Sequence, residues 1–329
     1  MTALPIGIQN FLVTAGWGDS AIAPIPGDAS FRRYFRIAAN GRRAMLMHAP
    51  PPHEDPAPFV HATRFLTGIG QRAPQIYAQD VESGYLLIED FGDDRMRDWL
   101  DTNPAGEQTA YRAAVETLTQ LHDKSPGPFA QYDMETYLRE VALFTQWYCP
   151  AAGLKVDDDA FLAAWQNTLE PLMDRQNPGV TVLRDYHAEN IMLIDPDPSG
   201  GGQQGIIDYQ DALVGHPAYD LVSLLQDARR EVPQTLEAEM LGYYRELAEP
   251  GADFDADYAR LGAQRNTKIV GIFTRLAKRD GKSHYLDMIP RVWSALERDL
   301  AHPALAPIAA WFDANIPPNI HEAKGRRLS

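Results

Sequence analysis

One cysteine, Cys149, is all that the 329 residues contain. No internal disulfide is possible, so the chain does not read as a disulfide-stapled secreted domain and suits a reducing cytoplasm. Cations are also scarce: 30 Lys and Arg stand against 45 Asp and Glu, a net charge of -15. A nucleic-acid face needs the opposite balance, so no nucleic-acid partner is expected. No uninterrupted apolar run is long enough to span a bilayer. No basic residue precedes an apolar segment at the N-terminus, so neither a signal peptide nor a membrane partner is expected. There is no internal repeat and no evident obligate protein partner. The hydrophobic content of 45% is ordinary, and the length suffices for two lobes.

The first third reads as a small, mostly antiparallel sheet. An amphipathic helix within residues 4–18 presents Ile8, Phe11, Leu12 and Ala15 on one face. Phe31 to Ile37 alternates as a strand, Asn40-Gly41 signals a hairpin, and Ala44 to Met47 follows as its partner. A Pro-rich loop, Pro50 to Pro58, leads to a helix near Phe59 to Leu66. Tyr85 to Ile88 is a further strand, ending at Glu89-Asp90-Phe91-Gly92. Beyond Gly92 the periodicity is helical: from Asn103 or Thr109 to about His122, then Met134 to Trp147 and Asp158 to Met173. After an interruption, helices resume at Tyr219 to Arg230, Thr235 to Leu247, Asp257 to Lys278 and Pro290 to Leu300. From Pro317 the chain is polar and expected to fray.

The interruption carries the chemistry. Val180 to Leu183 is apolar, then come Arg184 and Asp185, with Asn190 five positions after Asp185. Ile191 to Ile194 is apolar again, and past a Gly-rich turn the chain reads Gly205-Ile206-Ile207-Asp208. A hairpin of short strands around Asp185 is expected to gather Asp185, Asn190 and Asp208 into one small space. Asp and Asn are also common turn residues. An acid, an amide and a second acid at this spacing, coming straight off apolar runs, nevertheless match phosphoryl-transfer sites. There one Asp handles a hydroxyl, and the Asn and second Asp hold magnesium.

On these strings the sequence resembles the aminoglycoside phosphotransferase family, which shares the protein-kinase fold. LRDYHAEN (183–190) matches H-G-D-x-H-x-x-N, and IIDYQDA (206–212) matches the I-D-F/W segment. Leu121-His122 and GHPAYDL (215–221) match two further motifs. The resemblance spans roughly residues 25–300. DASFRRYFRI (28–37), MHAPP (47–51), YDLVSLLQDAR (219–229) and QRNTKIVGIFTRLAKRDGK (264–282) are similar to one branch, the anomeric N-acetylmuramate/N-acetylglucosamine kinases of cell-wall recycling. The resemblance implies an α+β, bilobal protein-kinase-like fold. Its small antiparallel β-rich N-lobe would be residues 1–91, and its helical C-lobe residues 92–329. It implies a cytoplasmic kinase that uses ATP and Mg²⁺ and acts on a small-molecule sugar at its anomeric hydroxyl. Another small alcohol as acceptor, or a non-catalytic kinase-like binding protein, are the alternatives.

The resemblance implies roles by position. Asp185 would be the catalytic residue that orients the hydroxyl or accepts its proton, and Asn190 and Asp208 the metal ligands. Gly27, Ser30, Arg32, Arg33, Met47, Glu89 and Phe91 are the nucleotide-site candidates, Glu89 to Phe91 through backbone groups at the hinge. Two departures stand out. Leu183 replaces the first loop histidine, and Met47-His48 occupies the place of the phosphate-binding strand lysine. Arg32 or Arg33 is the candidate for the missing charge; the alternative is that both are ordinary strand arginines. Candidate substrate residues are His187, Arg229, Arg265, Lys268 and Arg275. His187 has a loop-internal hydrogen bond as its alternative role; Asp220 is expected to cap a helix, and the resemblance implies that it also braces the catalytic loop. At 100° per residue, Arg265, Lys268, Arg275 and Arg279 fall within an arc of about 80°. Such a stripe is either a solvated face or an anion site. Trp147 and Tyr148 are expected in the core.

Overall fold

A computed structural model describes residues 4–26 and 31–326. Gly27 and Ser30, two of the nucleotide-site candidates, lie outside the described residues. The chain divides into two compact units, Met1–Gly106 with Asn190–Asp211, and Glu107–Glu189 with Ala212–Ser329. Among the described residues no helix is long and apolar enough to cross a membrane.

The first unit is built on an antiparallel five-stranded sheet. Its strands are β1 (Ala21–Ile25), β2 (Arg33–Ala39), β3 (Arg42–His48), β4 (Ile76–Asp80) and β5 (Tyr85–Ile88), in the order β1-β2-β3-β5-β4. The Asn40-Gly41 turn joins β2 to β3 with both residues at positive φ, 51° and 76°, as a two-residue hairpin requires. Alternation sorts the sheet's faces. Phe35, Ile37, Ala44, Leu46, Tyr85 and Leu87 pack with Ile8 and Leu12 of α1 (Ile8–Thr14) and with Trp17. Tyr34, Met47 and Leu86 meet on the opposite face, because β2 pairs Tyr34 with Met47 and β5 pairs Leu86 with Met47. Helices α2 (Ala57–Gly68) and α3 (Met96–Thr102) complete this part. The sequence reading missed β1 and β4. Both are edge strands, where a proline such as Pro24 and mostly polar alternation are tolerated. Phe31 is not a strand residue; β2 starts at Arg33, and Phe31 is 67% exposed.

Four short strands follow: β6 (Val180–Val182), β7 (Ile191–Ile194), β8 (Gln203–Ile206) and β9 (Leu213–Gly215). The expected hairpin around Asp185 does not form. β6 pairs with β9, and β7 pairs with β8. The intervening loop makes its own tight turns, Asp185 N–H to Leu183 O and His187 N–H to Asp185 O. Each strand therefore takes a later partner. The β7–β8 hairpin belongs to the first unit: Leu193 N–H donates to Asp94 O, and Ile206 N–H to Arg72 O. Compactness thus divides the chain at Gly106 and around this hairpin.

The second unit is helical: α4 (Glu107–His122), α5 (Met134–Leu143), the three-residue α6 (Cys149–Ala151), α7 (Asp158–Arg175), α8 (Ala218–Leu225), α9 (Gln234–Ala248), α10 (Phe254–Asp280), α11 (Ile289–Leu300), α12 (Ala306–Asn315) and α13 (Pro318–Glu322). Asp133 and Asp157 cap α5 and α7 by accepting N–H bonds from Thr136 and Ala160. Each cap contributes about 1 kcal/mol. A π-turn, Phe144–Tyr148, extends α5, and Tyr148 is buried as expected. α10 spans 27 residues, about 40 Å. It packs against α5, α8, α11 and the π-turn and ends at Gly281 with φ 71°. α8 stops at Leu225, short of the expected Arg230. The tail does not fray before Arg326: Ile320 is buried, and the Tyr148 hydroxyl donates to Gly325 O at 3.0 Å.

Candidate active site

Asp185 sits in the loop after β6, in a backbone that needs holding. Arg184 has φ 72°, a left-handed conformation that costs a non-glycine residue of order 1 kcal/mol. Asp220 of α8 supplies the hold. One carboxylate oxygen accepts the Leu183 N–H at 2.7 Å and the other the Arg184 N–H at 2.8 Å. Asp220 makes no helix cap, so the capping expectation is overturned. Burial pushes its carboxyl up to about 7, against these two N–H groups, which favour the charged form. Leu183, in place of a histidine, is buried.

The Asp185 side chain is 50% exposed, and Nη2 of Arg265, itself 4% exposed, stands 3.4 Å from its Oδ1. Desolvation alone would raise this carboxyl. Arg265, Lys268, His187 and Arg184 more than offset it, so it lies below the usual carboxylate range and is anionic at neutral pH. Arg265 is fixed by the Ser223 hydroxyl at 2.8 Å. A second charge cluster adjoins it. Glu140 of α5 accepts from Arg184, from the Tyr132 hydroxyl, from Lys268 Nζ at 3.0 Å and from Gln264 Nε2 at 3.2 Å. Burial penalises Glu140, but Lys268 and Arg184 hold it below the ordinary range.

These contacts revise the basic stripe. Arg265 and Lys268 point inward to carboxylates and are not a solvated face. Arg275 lies ten residues from Arg265, about 15 Å along the helix. Arg279 pairs with its neighbour Asp280. Arg229, past the end of α8, faces the loop: its Nε is 2.9 Å from Glu189 and its Nη1 is 3.3 Å from His187 Nε2.

In the first unit, Asn190 and Asp208 come together. Ile207 N–H donates to Asn190 O at 3.0 Å, and the two side chains stand 3.5 Å apart, Asn190 Nδ2 to Asp208 Oδ2. Asp208 is exposed with φ 61°. One carboxylate and one amide oxygen, presented by a half-turn of the amide, fit a hard cation that takes its other ligands from phosphates and water. Among the described residues no group of three His, Cys, Asp or Glu could hold a metal ion.

The nucleotide candidates separate by face. Met47 is fully buried opposite Tyr34. Arg33 turns to the other side of β2, 5.1 Å from the centre of the Phe35 ring. Arg32 pairs with Glu54, Nε to Oε2 3.3 Å, both largely buried. The Tyr34 hydroxyl senses Arg32, Asp208 and Glu54, although burial dominates the rise in its pKa. Glu89 accepts two bonds from Arg72, at 2.6 and 2.5 Å, and its N–H donates to Gln75 O. Phe91 packs under the Arg72 guanidinium at 4.6 Å and against Gly205, where a Cβ would lie 2.5 Å from the ring. Arg36 clamps the same segment through Asp90 and Asp93 at 2.8 and 2.9 Å. The side chains of Glu89 and Phe91 therefore build the segment.

Sequence reasoning missed Glu140, Ser223, Arg36 and Tyr34. Glu140 left one trace: it falls in the apolar stripe Tyr137, Val141, Phe144 of α5, where a charge needs a buried partner.

Residues 21–263 match the model of the phosphotransferase enzyme family. The chain is 35% identical to an N-acetylmuramate/N-acetylglucosamine kinase of Pseudomonas aeruginosa, covering 91% of this chain and 90% of that protein. It is 34% identical to a protein of the same name from Caulobacter vibrioides, over 93% and 95%. Among solved structures it is similar to a choline/ethanolamine kinase family protein from Mesorhizobium loti, with TM-score 0.61, 13% identity and 97% of each chain covered. It is also similar to an aminoglycoside phosphotransferase from Streptomyces rimosus solved with ADP and streptomycin, with TM-score 0.55, 17% identity and 80% and 99% covered. The fold is thus the protein-kinase-like one, with an antiparallel sheet in its N-terminal part and a helical C-terminal part. The chain belongs to the phosphotransferase enzyme family.

Proposed function

We propose that the protein is a cytoplasmic ATP- and Mg²⁺-dependent kinase that phosphorylates the anomeric hydroxyl of N-acetylmuramate or N-acetylglucosamine, in peptidoglycan recycling. The observation that carries the substrate is the likeness to kinases of that name over nine-tenths of both chains. The remote structural neighbours support the fold alone, so they do not favour choline or an aminoglycoside.

Asp185 accepts a hydrogen bond from the sugar's C1 hydroxyl and takes its proton as the C1 oxygen bonds to the γ-phosphorus and the bond to ADP breaks. An anomeric hydroxyl is more acidic than an ordinary alcohol, so one carboxylate held anionic suits it. Asn190 and Asp208 would ligate Mg²⁺, which supplies charge neutralisation on the phosphates. The Arg32–Glu54 pair stands for the missing lysine–glutamate pair, since its strand neighbour Tyr34 shares a face with Met47, the lysine's position.

The test is ADP release with ATP, Mg²⁺ and each of N-acetylmuramate, N-acetylglucosamine, choline and an aminoglycoside. Either amino sugar should give a product whose phosphorus resonance couples to the anomeric proton. Turnover of choline or the aminoglycoside alone would sink the substrate assignment. ADP release with none of the four acceptors would favour a binding protein.

A further inference from the structure

His187 lies two residues beyond Asp185 and is 3% exposed. Its Nε2 is 3.3 Å from Nη1 of Arg229. A guanidinium has only N–H groups to offer and no lone pair to accept with. Nε2 is therefore the acceptor, and the proton of the neutral ring sits on Nδ1. Nδ1 is buried and has no hydrogen-bond partner among the described residues.

The orienting arginine is itself fixed. Its Nε pairs with Glu189 at 2.9 Å, and its backbone N–H donates to Asp227 Oδ1 at 2.7 Å. The other Asp227 oxygen accepts the Ala188 N–H at 3.3 Å. Residues 187, 188 and 189 are thus each tied to the segment 227–229. Burial is the main force on the His187 pKa, and Asp227, Arg229, Asp185 and Arg265 are the charges that act on it. The sum pulls it down to about 4, so the ring is neutral at physiological pH.

We propose that Arg229 locks His187 as the Nδ1–H tautomer, and that this buried N–H donates a hydrogen bond to an oxygen of the reacting pair, on the sugar or on the phosphoryl group moving to it. The proposal rests on the kinase reading. A buried N–H without an acceptor is costly, and a ligand oxygen removes that cost. A neutral donor orients the oxygen without giving Asp185 a competing proton.

Nitrogen-15 NMR of histidine-labelled protein, assigned by comparison with the His187→Asn variant, reads the tautomer directly. The expected pattern is a protonated Nδ1 and an unprotonated Nε2; the reverse would overturn the lock. Kinetics test the donor. Asparagine places its amide N–H near the Nδ1 position and glutamine near Nε2. His187→Asn should lose at most a few-fold in kcat/KM, and His187→Gln about 10- to 100-fold, the worth of one hydrogen bond to a charged or strongly polar oxygen. A loss in the sugar's KM marks the sugar oxygen as acceptor, and a loss in kcat marks the phosphoryl oxygen. Equal activity of the two variants would reject the donor role. A wild-type protein that turns over neither amino sugar would defeat the kinase reading instead, and the NMR result would stand apart from it.

Discussion

Arg265 reaches Asp185 from 80 residues further along the chain, and it is the first of the charges that keep this carboxylate below its ordinary range. Arg265→Gln should therefore raise the Asp185 pKa, because burial then meets weaker opposition. The acid limb of kcat/KM should move to higher pH in the variant. An acid limb that does not move would mean that Arg265 only packs. Asp185→Asn should lower kcat by about 10²- to 10⁴-fold, the usual worth of a general base, with ATP affinity nearly unchanged. Wild-type turnover in that variant would remove Asp185 from the chemistry. Asp208→Ala should abolish the Mg²⁺ dependence of ATP binding, as titration with and without Mg²⁺ would show; an unaltered dependence moves the metal elsewhere. That Asn190 and Asp208 meet was legible in the sequence because their spacing is local. Glu140 was not, since its partner Arg184 is 44 residues away and no period connects them.

At the level of elements, α10 shows what a sequence pattern does and does not carry. Its existence was evident from its length and period. Its basic stripe looked like a solvated face or an anion site, yet the helix is buried nearly all round from Phe254 to Thr274, and Arg265 and Lys268 meet carboxylates there. Once a helix is covered on every side, polar periodicity no longer marks the surface. Close approach is the other feature the pattern hides. A Cβ on Gly271 would lie 2.4 Å from the carbonyl carbon of Leu143, at the end of α5. Backbone cannot yield as a side chain can, so Gly271→Ala should destabilise the fold by about 3 kcal/mol, read as a lower denaturant midpoint. An unchanged midpoint would show that α5 and α10 slide apart at little cost. Glu140→Gln acts on the same pair of helices. It leaves Arg184 and Lys268 as buried cations without their carboxylate, and a loss of about 3 kcal/mol is expected.

For the whole molecule, one buried carboxylate couples stability to acid. Asp257 at the start of α10 is bound by Arg175 at 2.6 and 2.5 Å, by Arg260 at 2.8 Å and by His216 at 3.5 Å. Burial raises its pKa, but these partners prevail and bring it from 3.8 down to about 2. A carboxyl depressed in the folded state stabilises at pH above its unfolded value and loses that contribution as pH falls through the folded one. The contribution, about 2 kcal/mol at neutral pH, is therefore present above pH 3.8 and lost toward pH 2. Unfolding free energies between those limits should fall more steeply in the wild type than in Asp257→Asn; parallel curves would assign acid sensitivity to other groups.

The β7–β8 hairpin has a consequence for synthesis. A ribosome makes residues 1–106 first, but the rest of that unit, Asn190–Asp211, appears only after residues 107–189. Until then Arg72 O and Asp94 O lack their hairpin N–H partners, and Gly205 has not covered Phe91. The nascent sheet must wait unfinished while helical chain emerges behind it, so vectorial folding cannot complete the first unit in isolation. Arrested chains ending before residue 190 should remain protease-sensitive in residues 4–106, and chains long enough to release the hairpin should not.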